Sequence, residues 1–487
     1  MFSTHKLDSA RGFRCDLSAP AERLPHFWEH TVGSCHATLA LRADWQAQLA
    51  RAHRELGFEH VRFHGILDDD MGTLICQNKQ LLYSFFNTDQ VMDFLLSIGM
   101  RPFVELSFMP KTLASSGKTV FRYRANISSP RDLASWETLI ARLVGHWFER
   151  YGRAELVNWF FEVWNEPNLP AFFTGRAEDY FALYRATARA IKSIDPQLRV
   201  GGPATAANGW LTEFLMFCEG EGVPADFVST HHYPTDAFGR PGDDTEAQLA
   251  ASPRSGLRRE AQRARAQVGE RALYYTEWST SSNARDALHD ESYAASFIVK
   301  TVLEARGLVQ GYSYWTFTDI FEENYFPSLP FHGGFGLLTL HGVAKPAYRA
   351  FELLHRVGVE LIPVLGAHPT VDCWVIRDQQ SVAVLLTNYA QPRHAIATET
   401  VEVSLVGCTA HSARIRRIDN EHANPKRLWL EMGSPEYLSP RQVGALHAAS
   451  RCLARRLHLE ADGDDIRRFK LTLPPLSVAC ISLEMQD

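Results

Sequence analysis

The chain has no CxxC pair, no phosphate-binding glycine loop, no excess of positive charge and no long apolar run. Each absence removes a class of function. Its eight cysteines, at 15, 35, 76, 218, 373, 408, 452 and 480, lie far apart, which argues against a disulfide scaffold or a clustered zinc site and reads as free thiols in a reducing compartment. The glycines of GGPAT (201–205) and HGGFGLL (332–338) lack the GxGxxG or GxxxxGK[ST] spacing that nucleotide phosphates require. Fifty basic residues are spread among 56 acidic ones for a net charge of -6, so no basic field for nucleic acid or anionic lipid is expected. No segment approaches the ~18 uninterrupted apolar residues of a membrane span, and the first twenty residues hold no apolar run of signal-peptide length. A cytoplasmic location with no membrane partner is the expectation.

What is present is bulk and alternation. A chain of 487 residues, 45% of them hydrophobic, can bury the core of one large domain plus a smaller one. Eight short apolar runs, at 31–41, 60–67, 101–108, 156–164, 198–205, 226–233, 272–279 and 311–318, alternate with amphipathic helical patterns such as LASWETLIARLVGHWFERYG and AEDYFALYRATARAIKSID. Eight such βα units predict a closed (β/α)8 TIM barrel over 23–350. After residue 350 the period changes to two, as in VDCWVIRDQQSVAVLLTNYA and RFKLTLPPLSVACISLEMQ, which predicts a β-sandwich over 351–487 with a helical insertion near 430–460. Residues 1–22 are expected to return to that sandwich as an edge strand.

In a barrel, chemistry gathers at the C-terminal ends of the strands. Those ends carry His64, then Trp164, Asn165 and Glu166, then His231, His232 and Tyr233, then Glu277 and Trp278, then Trp315 and Phe317, with Asp319, Glu322 and Glu323 just beyond. Aromatic faces interleaved with hydrogen-bonding groups suit an uncharged polyhydroxylated ligand. A run as apolar as LVNWFFEVW has no reason to end on a carboxylate unless Glu166 is paired or has work to do. Glu277, three strands later, is the facing partner, and two carboxylates across a sugar ring are the minimum equipment for cleaving a glycosidic bond. Adjacent strand residues point opposite ways, so His231 and His232 are not expected to share an ion, and one of them should face the barrel wall. No metal and no cofactor is expected.

The segments FEVWNEPNLPAFF, HHYPTD, YYTEWSTSSN and YWTFTDIFEE resemble those of glycoside hydrolase family 39, the β-xylosidases and α-L-iduronidases within a clan of retaining (β/α)8 enzymes. The resemblance spans essentially the whole chain. It implies Glu166 as general acid/base, Glu277 as nucleophile and Asn165 on the sugar 2-hydroxyl, and it implies His64, His232, Tyr233, Trp315, Glu322 and Glu323 as pocket residues. Trp315 or Phe317 is expected to close the pocket against a hexose. The expected activity is that of an exo-acting β-D-xylosidase on xylobiose and other short xylo-oligosaccharides, with lower action on α-L-arabinosides. An iduronidase-like enzyme would need an Arg or Lys for the substrate carboxylate, and the strand ends named above show no base other than histidine. A sugar-binding protein without turnover is the remaining alternative.

Overall fold

The computed structural model describes residues 12–379 and 381–484. The part of the N-terminal expectation that falls on 1–11 lies outside the described residues. Eight parallel strands close into a barrel: β1 (Thr31–His36), β2 (His60–His64), β3 (Arg101–Leu106), β4 (Phe160–Val163), β5 (Arg199–Thr205), β6 (Phe227–His231), β7 (Leu273–Trp278) and β8 (Gly311–Tyr314), with β8 pairing back onto β1 through Tyr314 and Val32. Each falls inside a run expected from the sequence. The first and last are shorter, because 37–41 turns into a 3-10 helix and pairing of β8 stops at Tyr314.

A helix follows every strand: α1 (Ala43–Leu56), α2 (Phe86–Ser97), α3 (Leu133–Tyr151), α4 (Ala177–Ile194), α5 (Leu211–Glu221), α6 (Gly256–Val268), α7 (Ser292–Glu304) and α8 (Pro346–His355). In α3 the spacing of Trp136, Leu139, Ile140, Leu143, Val144 and Trp147 lays one buried stripe against the barrel, as a 3.6-residue period dictates. The Asp132 carboxylate caps its start by accepting from the Ser135 N–H, one of the donors a helix leaves unpaired at its first turn. Among the described residues no helix is long and apolar enough to cross a membrane.

The C-terminal residues form two facing sheets. One carries Glu399–Val406 and Ile466–Leu473; the other carries Val371–Arg377, Ser381–Asn388, Ser477–Glu484 and Ala413–Ile418. Strand Ile466–Leu473 buries every second side chain, and Phe13, Val375, Val384, Val403, Phe469 and Ile481 meet in the core between the sheets. Gly12–Asp16 joins the first sheet, but as an interior strand. It runs parallel to Glu399–Val406 on one side and antiparallel to Val364–Leu365 on the other. In this sheet a two-residue strand covers the outer side, and the expected edge position falls to Glu22–Arg23, which borders the other sheet beside Glu360–Ile362. The insertion forms two helices, Pro425–Glu431 and Pro440–Ala449, whose Trp429 and Leu446 pack on Phe331 and Val343 in the long loop after β8. The sandwich thus braces a loop at the barrel mouth.

Candidate active site

The barrel interior is built in layers, because inward-pointing side chains recur at every second position of each strand. The floor is aromatic, with His60, Phe103, Phe160, Phe227 and Tyr274 in mutual ring contact. One step up each strand come Arg62, Glu105, Glu162 and Thr276. The next step reaches the mouth, where β4 abandons regular alternation. Trp164 and Glu166 both sit in the left-handed region (φ +70° and +43°), a conformation that costs a residue with a side chain of order 1–3 kcal/mol and concentrates where geometry matters. The Glu166 N–H is held by the Ala204 carbonyl at 2.8 Å.

Arg62, fully buried, organises the site. Its Nε donates to Glu162 at 2.6 Å, its Nη1 to Glu277 Oε1 at 2.7 Å, and its Nη2 to Asn165 Oδ1 at 3.0 Å and toward Glu105 Oε2 at 2.8 Å. A guanidinium only donates, so Asn165 must present its oxygen to Arg62 and its NH2 to the pocket. The second oxygen of Glu277 accepts from the Tyr233 hydroxyl at 2.8 Å. His64 is held by Glu105 through Nδ1 at 2.7 Å, and its Nε2 lies 3.7 Å from both Glu277 and Glu323. Burial would lower the His64 pKa, but the Glu105 charge and hydrogen bond carry it above the ordinary histidine value.

His231 decides where a proton sits. The Thr276 hydroxyl donates its one proton to Glu162 at 2.7 Å, so it can only accept from His231 Nε2, 3.1 Å away. With hydrogen on Nε2, a neutral His231 offers its Nδ1 lone pair to Glu166 Oε1 at 2.9 Å. The electrostatics agree: burial, then the Arg62 charge, hold the His231 pKa well below the ordinary value. Burial, then the Glu277 charge, push Glu166 well above the carboxylate range. Both shifts favour a protonated Glu166 facing the His231 Nδ1 lone pair. One carboxylate oxygen of Glu166 and one of Glu277 lie within 4.8 Å of each other, and His231 Nδ1 is 2.9 Å from Glu166 and 3.7 Å from Glu277. The same three groups converge as metal ligands would, yet Arg62 already stands 2.7 Å from Glu277 Oε1, and its fixed charge opposes a cation there.

Sequence expectation and structure differ at several positions. His232, expected in the pocket, turns outward toward the side of the barrel carrying α6, where the nearest charges are Glu260, Asp236 and Arg263. His231 takes the inward place because it stands two steps of the strand period above Phe227 of the barrel floor, and it pairs with Glu277 across a register shift on the β7 side. Phe317 is corrected as well. It is 0% exposed and meets Trp45 of α1 edge-on at 5.2 Å, behind the barrel wall. Strand pairing ends at Tyr314, so alternation does not carry residue 317 to the mouth. Asp319 is locked in a buried ion pair with Lys345 at 2.7 Å and bonds the Gly336 N–H, which fixes the loop after β8. Arg62 is a base one step below the strand ends, although its partners leave it no free face for a substrate carboxylate.

Trp315 does reach the site, tilted over His64 with ring centroids 4.8 Å apart. A side chain at Gly33 would lie 2.5 Å from the Trp315 ring, so glycine is what makes room for it. Glu323 faces His64, and burial, then the charges of Glu277 and Glu105, raise its pKa to about 8 against the pull of His64. Glu322 sits at the rim, 3.4 Å from His36 and 3.7 Å from Arg122. Arg62, Glu105 and Glu162 are not among the residues expected from the sequence, and His231 is expected only as one of two strand-end histidines. The signal for them is the two-residue period of each strand counted upward from His60, Phe103, Phe160 and Phe227.

Known proteins resemble this chain along nearly its whole length. The β-xylosidase of Caldicellulosiruptor saccharolyticus is 46% identical over 468 residues, covering 95% of this chain and 96% of that one. The β-xylosidase of Geobacillus stearothermophilus is 34% identical over 95% of this chain and 94% of its own. The crystal structure of a GH39 enzyme from Xanthomonas axonopodis pv. citri superposes with a TM-score of 0.88 at 35% identity, covering 99% of both chains. The pattern described as Glycosyl hydrolases family 39 matches residues 13–464. With likeness of that extent in both sequence and structure, the chain belongs to glycosyl hydrolase family 39.

Proposed function

We propose that the protein is a retaining, exo-acting β-D-xylosidase that releases xylose from short xylo-oligosaccharides such as xylobiose, with Glu166 as general acid/base and Glu277 as nucleophile. The observation that carries this reading is the pair itself: a protonated Glu166 and a Glu277 fixed by Arg62 and Tyr233, with oxygens within 4.8 Å. That separation suits direct attack on the sugar. An inverting pair stands roughly 6.5–9.5 Å apart to hold a water between the two groups.

Glu277 attacks the anomeric carbon as the glycosidic bond breaks, and the Glu166 proton leaves its hydrogen bond to His231 Nδ1 and passes to the departing oxygen. The resulting ester removes the Glu277 charge, which lowers the proton affinity of Glu166. Glu166 then takes a proton from water, water attacks the same carbon, and the sugar leaves with its configuration retained. The Asn165 NH2, turned outward by Arg62, donates to the 2-hydroxyl, and Tyr233 steadies the nucleophile. These side chains complete both steps. Trp315 supports a pentose pocket, since a ring closing over the site rejects an exocyclic carbon by overlap.

The barrel, 23–350, is the catalytic unit in this reading, and the sandwich, 351–487, supports its mouth. An exposed free thiol at Cys76 supports action in a reducing cytoplasm. Hydrolysis of p-nitrophenyl xyloside, arabinoside, glucoside and iduronide, compared by kcat/KM, tests the assignment. The xyloside should lead, with the arabinoside below it. A leading iduronide, or no turnover of any substrate, would contradict the assignment.

A further inference from the structure

Beneath the barrel, on the face opposite Glu166, three ligand-type side chains converge from two separate parts of the chain. His26 and Glu29 lie in the segment entering β1, and His355 ends α8. Their Nδ1, carboxylate and Nδ1 atoms all lie within 4.8 Å of one another. His26 Nδ1 is 2.7 Å and His355 Nδ1 3.0 Å from the same oxygen, Glu29 Oε1.

The backbone fixes the orientation of His26. Its Nε2 lies 3.2 Å from the Gly358 carbonyl, which can only accept, so Nε2 carries hydrogen. The Nδ1 lone pair of a neutral His26 therefore faces a carboxylate at 2.7 Å, an arrangement that needs a positive species between them, either a second proton or a metal ion. A ring nitrogen bonded to a carbonyl while the other faces the ion is also how metal-binding histidines are held. The pocket is kept clear by Gly57, where a Cβ would meet Glu29 Oε2 and His355 Nδ1 at 2.5 Å. One side is open to water, with side-chain exposures of 17%, 13% and 37% for His26, Glu29 and His355.

We propose that His26, Glu29 and His355 form a site for a divalent transition ion of the zinc class, with water as fourth ligand, stapling the entry to β1 to the end of α8. Two imidazoles and one carboxylate are a zinc donor set, and metal–ligand distances of about 2.0–2.2 Å require both imidazole nitrogens to back away from Glu29 Oε1 by about half an ångström.

The test uses the full chain and zinc chloride. Crystals soaked in zinc and measured on either side of the zinc absorption edge should show an anomalous peak between the three residues. Titration calorimetry should find one ion per chain at this site, Tm should rise by a few degrees, and His355→Ala should weaken binding at least tenfold. The soaked native crystal answers even if the variant fails to fold. No peak there, or a peak only between Glu166, His231 and Glu277, overturns the proposal.

Discussion

His231 Nδ1 stands 2.9 Å from Glu166 Oε1, while its Nε2 is 3.1 Å from a Thr276 hydroxyl already committed to Glu162. The imidazole therefore holds Glu166 in its acid form and aims it. His231→Ala should lower kcat roughly tenfold to a hundredfold on xylobiose, part of the 10²–10⁴ that a positioned acid supplies. His232→Ala should change kcat little, since that ring faces away from the mouth. Equal losses from the two variants would refute the inward placement of His231.

Arg62 pairs with Glu105, Glu162 and Glu277 inside the barrel. Its removal strands buried charge, so Arg62→Ala should destabilise the fold by about 3–5 kcal/mol as well as abolish turnover. Chemical denaturation measures the first effect. An R62A protein as stable as the native one would contradict the ion network.

The raised pKa of Glu166 sets the alkaline limb of kcat/KM, because the acid must carry its proton into the first step. Glu277 is the second-largest cause of the rise after burial, so Glu277→Gln should move the Glu166 titration to lower pH. Carbon NMR of labelled glutamate reads that shift directly. The linkage has a definite sign: the folded chain binds this proton more tightly than the unfolded chain. The stability it contributes is present at low pH and is lost as pH rises from the ordinary glutamate value through the folded one. No movement of Glu166 in the E277Q protein would remove the charge coupling.

Glu323, raised to about 8, should be mostly protonated at neutral pH and should donate to a sugar oxygen in that form. KM for xyloside should rise as pH passes through about 8. Glu323→Gln, which keeps an N–H donor at every pH, should flatten that rise. A KM profile unchanged by the substitution would assign the effect elsewhere.

How far the sequence could be read is clear from these residues. The eight strands were legible because each apolar run is bounded by helical patterns of a different period. Glu166 and Glu277 were legible because a carboxylate is out of place at the end of an apolar strand. His231 and His232 were exchanged because the period of β6 selects 231 only once Phe227 is known to stand in the barrel floor, and two adjacent histidines look alike without that anchor. Phe317 was misplaced by extending β8 four residues past Tyr314. Arg62 was passed over because attention to strand tips skips the layer below, where a buried cation is invisible until its three carboxylates are seen around it.

Leaving-group chemistry separates the two carboxylates. With a dinitrophenyl xyloside, the E166A enzyme should form its glycosyl intermediate and stall, and azide should relieve it as the β-xylosyl azide. In E277A, azide entering from the vacated nucleophile side should give the α-azide. Matching stereochemistry from both variants would refute the assignment of roles.

The central claim is that Glu277 and Glu166 act in two successive displacements at one carbon. Proton NMR of the sugar first released from a β-xyloside, recorded before mutarotation, tests it most directly. The account predicts β-xylose as the initial product; α-xylose would contradict it.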